Sequence, residues 1–141
     1  MSGHRKDLRD AVKAALAADA RIGPYTYVKA WVRAKDRDQL PAYTVFIPRD
    51  PSGVSDQNGV ERRTIIEVIV KRSANADIED AIDADVDAIE AAVYPALLDV
   101  SDLTYADFDG TDFEITGEGN ATACQAVVRF STQIFKPLPT S

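Results

Sequence analysis

The stretch from Arg62 to Leu98 constrains the fold more than any other part of the chain. Five of the seven residues from Thr64 to Val70 are aliphatic, and none is Gly or Pro. That run predicts a strand over 62–72, buried on most of both faces and bracketed by the basic pairs Arg62-Arg63 and Lys71-Arg72. A short break precedes a helix expected over 77–98. Its residues Ile78, Ile82, Val86, Ile89, Val93 and Leu97 recur at helical spacing and form one apolar stripe. Asp77 and Glu79 suit the positive end of the helix dipole. Glu79, Asp80, Asp83, Asp87 and Glu90 line the opposite face. A strand crossed by a helix supplies a core, and the acidic face is left for water or for a partner.

At 141 residues the chain is long enough for one domain with a real core, taken as 1–141 with an extended tail over 136–141. Hydrophobic content of 45% and charged content of 28% are globular values. No apolar run approaches a membrane span, and the basic start leads into an Ala-rich helix rather than a signal core. The net charge of −7 argues against a protein that grips nucleic acid by its phosphates. It is compatible with one past which nucleic acid slides. One cysteine, Cys124, excludes an internal disulfide, and its strand setting reads as a small buried hydrophobe.

The remaining elements follow in order. A helix is expected over 4–19, with Leu8, Val12, Ala15 and Leu16 inward. Arg5, Arg9 and Lys13 form a basic row that reads as a solvated face or as a contact for an acidic surface. Gly23-Pro24 ends this unit. A strand over 26–34 alternates aliphatic residues with Tyr27, Lys29, Trp31 and Arg33; Trp31 reads as core packing before partner anchor. A second strand over 42–48 lies between two prolines. The stretch 50–61, with Asp50, Gly53, Asp56, Asn58 and Gly59, reads as a flexible loop or a mobile hairpin tip. Pro95 is expected to kink or end the last turn of the second helix. One or two short strands are expected over 103–116, one of them near 111–116, with Asp109-Gly110 as a hairpin signal. A long strand over 123–135 sends Cys124, Ala126, Val128, Phe130, Thr132 and Ile134 one way. Gln125, Val127, Arg129, Ser131 and Gln133 point the other. The fold class is α+β: a mixed, largely antiparallel sheet of four to five strands with two helices packed on it.

The sequence offers no catalytic or cofactor motif. It has no phosphate-binding glycine loop, no nucleophile elbow and no zinc-protease helix, and its single histidine is His4. The carboxylates Asp80, Asp83, Asp87 and Glu90, with Asp107, Asp109, Asp112 and Glu114, have the chemistry of a Mg²⁺ or Ca²⁺ site. A solvated face or a docking face for Lys and Arg is the commoner meaning of such a row. No catalytic, cofactor or metal residue is assigned. The enzyme alternative is a Mg²⁺-dependent hydrolase using these carboxylates, and a third reading is a monomeric adaptor for a basic protein.

Several strings, taken in order over 4–135, resemble the lambda-type tail terminator family (minor tail protein U) of long-tailed phages, the siphophages. They are His4-Arg5-Lys6-Asp7-Leu8-Arg9-Asp10-Ala11-Val12, Leu40-Pro41-Ala42-Tyr43-Thr44-Val45-Phe46 and Ile66-Glu67-Val68-Ile69-Val70. The acidic helix ending Val93-Tyr94-Pro95-Ala96-Leu97 and the segment Ala126-Val127-Val128-Arg129-Phe130-Ser131 complete them. The resemblance implies a structural, non-enzymatic role. Such proteins form a hexameric ring on the head-proximal end of the tail tube, stop its polymerisation and present a surface for head-tail joining. The implied partners are further copies of the chain, the tail tube protein and the head connector or completion protein. DNA passes through the ring without specific binding, and no membrane is involved. The implied location is the virion tail, with assembly in the host cytoplasm. The stretch 50–61 corresponds to a family loop that is flexible in the free subunit. The tail 136–141 and the basic pairs depart from the family pattern. A neck or head-completion protein of the same particle is the nearest alternative. A ring needs two unlike, complementary patches on each subunit. Arg5, Arg9 and Lys13 on one side, Asp80, Asp83, Asp87 and Glu90 on another, and Arg62 and Arg63 are the expected interface residues.

Overall fold

Leu8, Val12 and Leu16 recur every fourth residue, and all three are fully buried along one side of helix α1 (His4–Ala18). The structure is a computed structural model and describes residues 4–29, 41–49, 52–56, 59–73, 78–100, 103–116 and 123–137. Asp19 terminates α1. Its carboxylate accepts from the backbone N–H groups of Arg21 and Ile22, both at 2.9 Å, and its carbonyl accepts from Gly23 N–H at 2.9 Å. This turn drives Ile22 back into the core, where it is fully buried. A Cβ at Gly23 would lie 2.5 Å from the Ala17 carbonyl oxygen and 2.6 Å from that of Asp19, so the close approach requires glycine.

The chain then forms β1 (Thr26–Tyr27), β2 (Ala42–Arg49), β3 (Ser52–Asp56) and β4 (Gly59–Ser73). Helix α2 (Ile78–Leu98), β5 (Leu103–Thr116) and β6 (Ala123–Pro137) complete it. The sheet runs β1-β2-β4-β6-β5, and β3 pairs with the outer end of β4. β1 is parallel to β2, and every other pairing is antiparallel. The α+β class and the mixed, largely antiparallel sheet are therefore as expected.

Both helices cover one face. Ile66, Val68 and Val70 of β4 lie opposite Phe130, Val128 and Ala126 of β6, and all six are fully buried. They meet Val12 and Leu16 of α1 and Ile89, Val93 and Leu97 of α2 in one core. α1 packs on β2 and α2, whereas α2 packs on β5, β6 and β4. The other face carries Ile65, Glu67, Ile69, Lys71, Val127 and Arg129, all half-buried. β4 is thus covered by helices on one face only, not buried on most of both, and neighbouring strands supply the shading on the open side.

Other expectations change. The strand expected over 26–34 is β1 alone within the described residues; Val28 N–H still donates to the Tyr43 carbonyl at 3.0 Å. Trp31 and the charged loop 35–39 lie outside the described residues. Of the two readings of 50–61, a flexible loop or a hairpin tip, the strand pairing agrees with a hairpin, with Gly53 opposite Glu61 and Asp56 opposite Gly59. Asp50 and Asn58 lie outside the described residues. α2 ends at Leu98, as expected, with Pro95 inside its last turn, where proline removes one backbone hydrogen bond from a turn that is already finishing. Lys136 and Pro137, expected in an extended tail, belong to β6.

The largest change is β5. It is one strand paired with β6 almost throughout, where one or two short strands were expected. Asp109-Gly110 is a bulge in it, not a hairpin turn. Phe108 pairs with Phe130 and Gly110 with Arg129, so Asp109 is the extra residue. Gly110 has φ 120°, open only to glycine at low cost. The extra residue switches the alternation, so that Asp112 and Glu114 share the open face with Arg129.

Candidate interface surfaces

The two charged rows lie toward opposite edges of the sheet. Arg5 and Arg9 are exposed on α1, and Lys13, half-buried, holds its ammonium 4.6 Å above the ring of Tyr27 on β1. This places Lys13, the last residue of the basic row, at the β1–β2 edge. Asp80, Asp83 and Asp87 are exposed on α2, and Glu90 is half-buried beside β5. None of these four carboxylates forms an ion pair with a described residue. Among the described residues, no three metal-ligating side chains converge.

The acidic row borders an open groove of about 450 Å³ between α2 and β5, lined by Asp87, Glu90, Ala91, Tyr94, Phe108 and Phe130. Phe130 is its buried floor, and Phe108 meets it edge-on with ring centroids 5.8 Å apart. Burial pushes the Glu90 carboxyl above its ordinary value, and the charge of Asp87 adds to the effect. Every large hydrophobic side chain that is well exposed among the described residues lies on α2 or β5: Tyr94, Leu98, Phe108, Phe113 and Ile115. Phe113 and Ile115 are 54% and 73% exposed although they point to the helix side of the sheet, because α2 does not extend over them.

Sequence reasoning missed this apolar wall. Tyr94 is one helical turn beyond Glu90, which was signal enough to extend the acidic row to an aromatic residue. Phe108 and Phe113 gave no such signal, because the bulge between them hides that both face the same way.

A second missed feature is Asp85, the fully buried carboxylate of α2. It accepts from Arg21 Nε at 2.7 Å, Tyr25 Oη at 2.6 Å and Arg72 Nε at 2.7 Å. Arg72 also donates to Tyr25 Oη at 2.8 Å, and Arg21 to the Ala81 carbonyl at 3.0 Å. Burial raises the Tyr25 hydroxyl pKa, and its bond to Asp85 raises it further. Burial opposes the charge on Arg72, but the bond to Asp85 and its negative charge outweigh that and leave the guanidinium above its ordinary value. The cluster joins the turn after α1, the end of β4 and the middle of α2. Asp85 sits within the apolar stripe between Ile82 and Val86, and a charge on that face was the available signal.

Of the other expected residues, Arg63 is exposed on the open face opposite Gln133, and Arg62 lies in β4 opposite Ile134. On the same face Arg129 bridges Glu67, at 3.0 Å, and Asp112.

The fold and these surfaces define an α+β protein with a one-sided helical layer and unlike patches at its two sheet edges. No family model matches the chain, and no curated protein matches it. Among solved structures it is similar to a chain of the "Virion of native gene transfer agent (GTA) particle". The TM-score is 0.63 at 17% identity, over 96% of this chain and all of that one. At this identity the likeness shows a shared fold.

Proposed function

We propose that this protein is a structural component of a phage-like particle and acts as its tail terminator. In this reading it forms a hexameric ring on the head-proximal end of the tail tube, stops tube growth and presents the surface that joins the head. The observation that carries the reading is the match to a virion chain along essentially the whole length of both chains. The ordered resemblance of sequence strings to the tail terminator family refines it to that role. The placement of the charged rows is compatible, since a closed ring repeats one heterologous contact between unlike patches. Its partners are further copies of itself, the tail tube protein and the head connector. An acidic chain, net −7, suits a passage through which DNA moves without sticking.

The test is a tube-growth assay. Tube protein polymerised with this protein present should give capped tubes that stop elongating, with a ring at one end in electron micrographs. Tubes that grow to the same lengths with and without it, and carry no ring, would refute the reading. Rings that bind the head connector and ignore tube ends would favour a neck or head-completion role.

A further inference from the structure

The groove between α2 and β5 has an exposed aromatic wall, a buried aromatic floor and an acidic rim, and nothing described in the subunit fills it. We infer that it receives the basic row of α1 from a second copy of this chain, so that Arg9 and its neighbours seat against Asp87, Glu90, Tyr94 and Phe108. This inference rests on the ring reading and assigns the contact that closes the ring.

Charge complementarity carries it. Arg5, Arg9 and Lys13 stand at four-residue steps, about 6 Å apart along the helix axis. Asp80, Asp83, Asp87 and Glu90 stand at three- and four-residue steps, which gives a matching interval. The groove supplies both components that an arginine side chain uses: carboxylates for the guanidinium, and ring faces for its planar surface. Covering the groove would also bury Tyr94 and Phe108, which are 41% and 40% exposed in the single subunit. Aromatic side chains with arginine at the centre are typical of energetically important interface sites.

Geometry agrees. Lys13 stands over Tyr27 of β1, and the groove is walled by β5, at the other end of the sheet order. Lys13 and the groove therefore lie toward different edges of the sheet. Joined between subunits, they make a head-to-tail contact, the kind that repeats into a ring.

The test uses paired charge reversals on the two surfaces, at the exposed Arg5, Arg9 and Asp87 and the half-buried Glu90. The first variant carries Arg5→Glu and Arg9→Glu, and the second carries Asp87→Lys and Glu90→Lys. Each alone opposes like charges at the contact and should lose the ring, with association weakened roughly tenfold or more. An equimolar mixture should restore it as an alternating ring, because each altered row then faces an altered groove. A disulfide test works independently of the reversals. Arg9→Cys combined with Ala91→Cys should give an oxidised ladder of linked subunits, while the buried Cys124 stays out of it. If wild-type rings form, yet the reversals leave them intact and no ladder appears, the groove assignment is wrong and the ring reading stands. Rings that persist while binding to tubes is lost would hand the groove to the tube protein and overturn the assignment. If the wild-type protein forms no ring at all, both fall.

Discussion

Replacing Asp85 by alanine should be among the most damaging single substitutions in the chain. Its carboxylate is fully buried and accepts three hydrogen bonds of 2.6–2.7 Å, two of them from guanidinium groups. Removing one partner of a buried ion pair typically costs about 3–5 kcal/mol, because the remaining charge is left uncompensated. The two arginines differ in how easily they recover. Arg21 is 38% exposed and rehydrates readily, whereas Arg72 is 20% exposed and gains less from water. The expected loss is therefore about 3–4 kcal/mol, a large part of the roughly 5–15 kcal/mol that holds a typical domain folded. In urea denaturation followed by circular dichroism this is a fall in midpoint of about 1.5–2 M, for a slope of about 2 kcal/mol/M. Tyr25→Phe removes one donor and one acceptor of the same cluster and should cost about 1–2 kcal/mol. The combination Asp85→Leu with Arg72→Met removes the two more buried charges of the three and leaves the 38% exposed Arg21 to rehydrate, so it should recover much of the loss. A loss below about 1 kcal/mol for Asp85→Ala would refute the view that this cluster locks α1, α2 and β4 together.

Three further predictions concern single positions. Gly23→Ala should destabilise by about 1–3 kcal/mol through overpacking in the turn after α1, measured by thermal unfolding. Gly110→Ala should cost about 1–3 kcal/mol from backbone strain alone, because a Cβ there meets nothing within 4 Å; the same melts read it. Glu90 has a folded-state pKa raised by burial and by Asp87, so its contribution to subunit stability is fully present below its unfolded pKa. That contribution is lost as pH rises through the folded value. Glu90→Gln should flatten this fall in a pH series of urea melts on the isolated subunit, and an unchanged pH profile would refute the assignment.

Much of the framework was legible because its signals are local. The stripes in α1 and α2 and the alternation in β6 each report one buried face, and the structure buries those faces. What escaped depends on partners distant in sequence. Ser52–Asp56 has poor strand-forming composition and becomes a strand only because the outer end of β4 lies alongside it. Asp109-Gly110 carries the chemistry of a tight turn, and the same positive φ serves a bulge once β6 holds both flanks. Asp85 passed unnoticed because its three partners come from two other elements, Arg21 and Tyr25 after α1 and Arg72 in β4. The charged rows were legible as rows. Their placement at opposite sheet edges required the strand order, which no local pattern encodes.

The most direct test of the ring reading is the mass of the purified protein by light scattering, taken across concentration and with tail tubes added. A closed hexamer, or a monomer that assembles into hexamers on tube ends, is the expected result. A protein that stays monomeric at every concentration and ignores tube ends would contradict it.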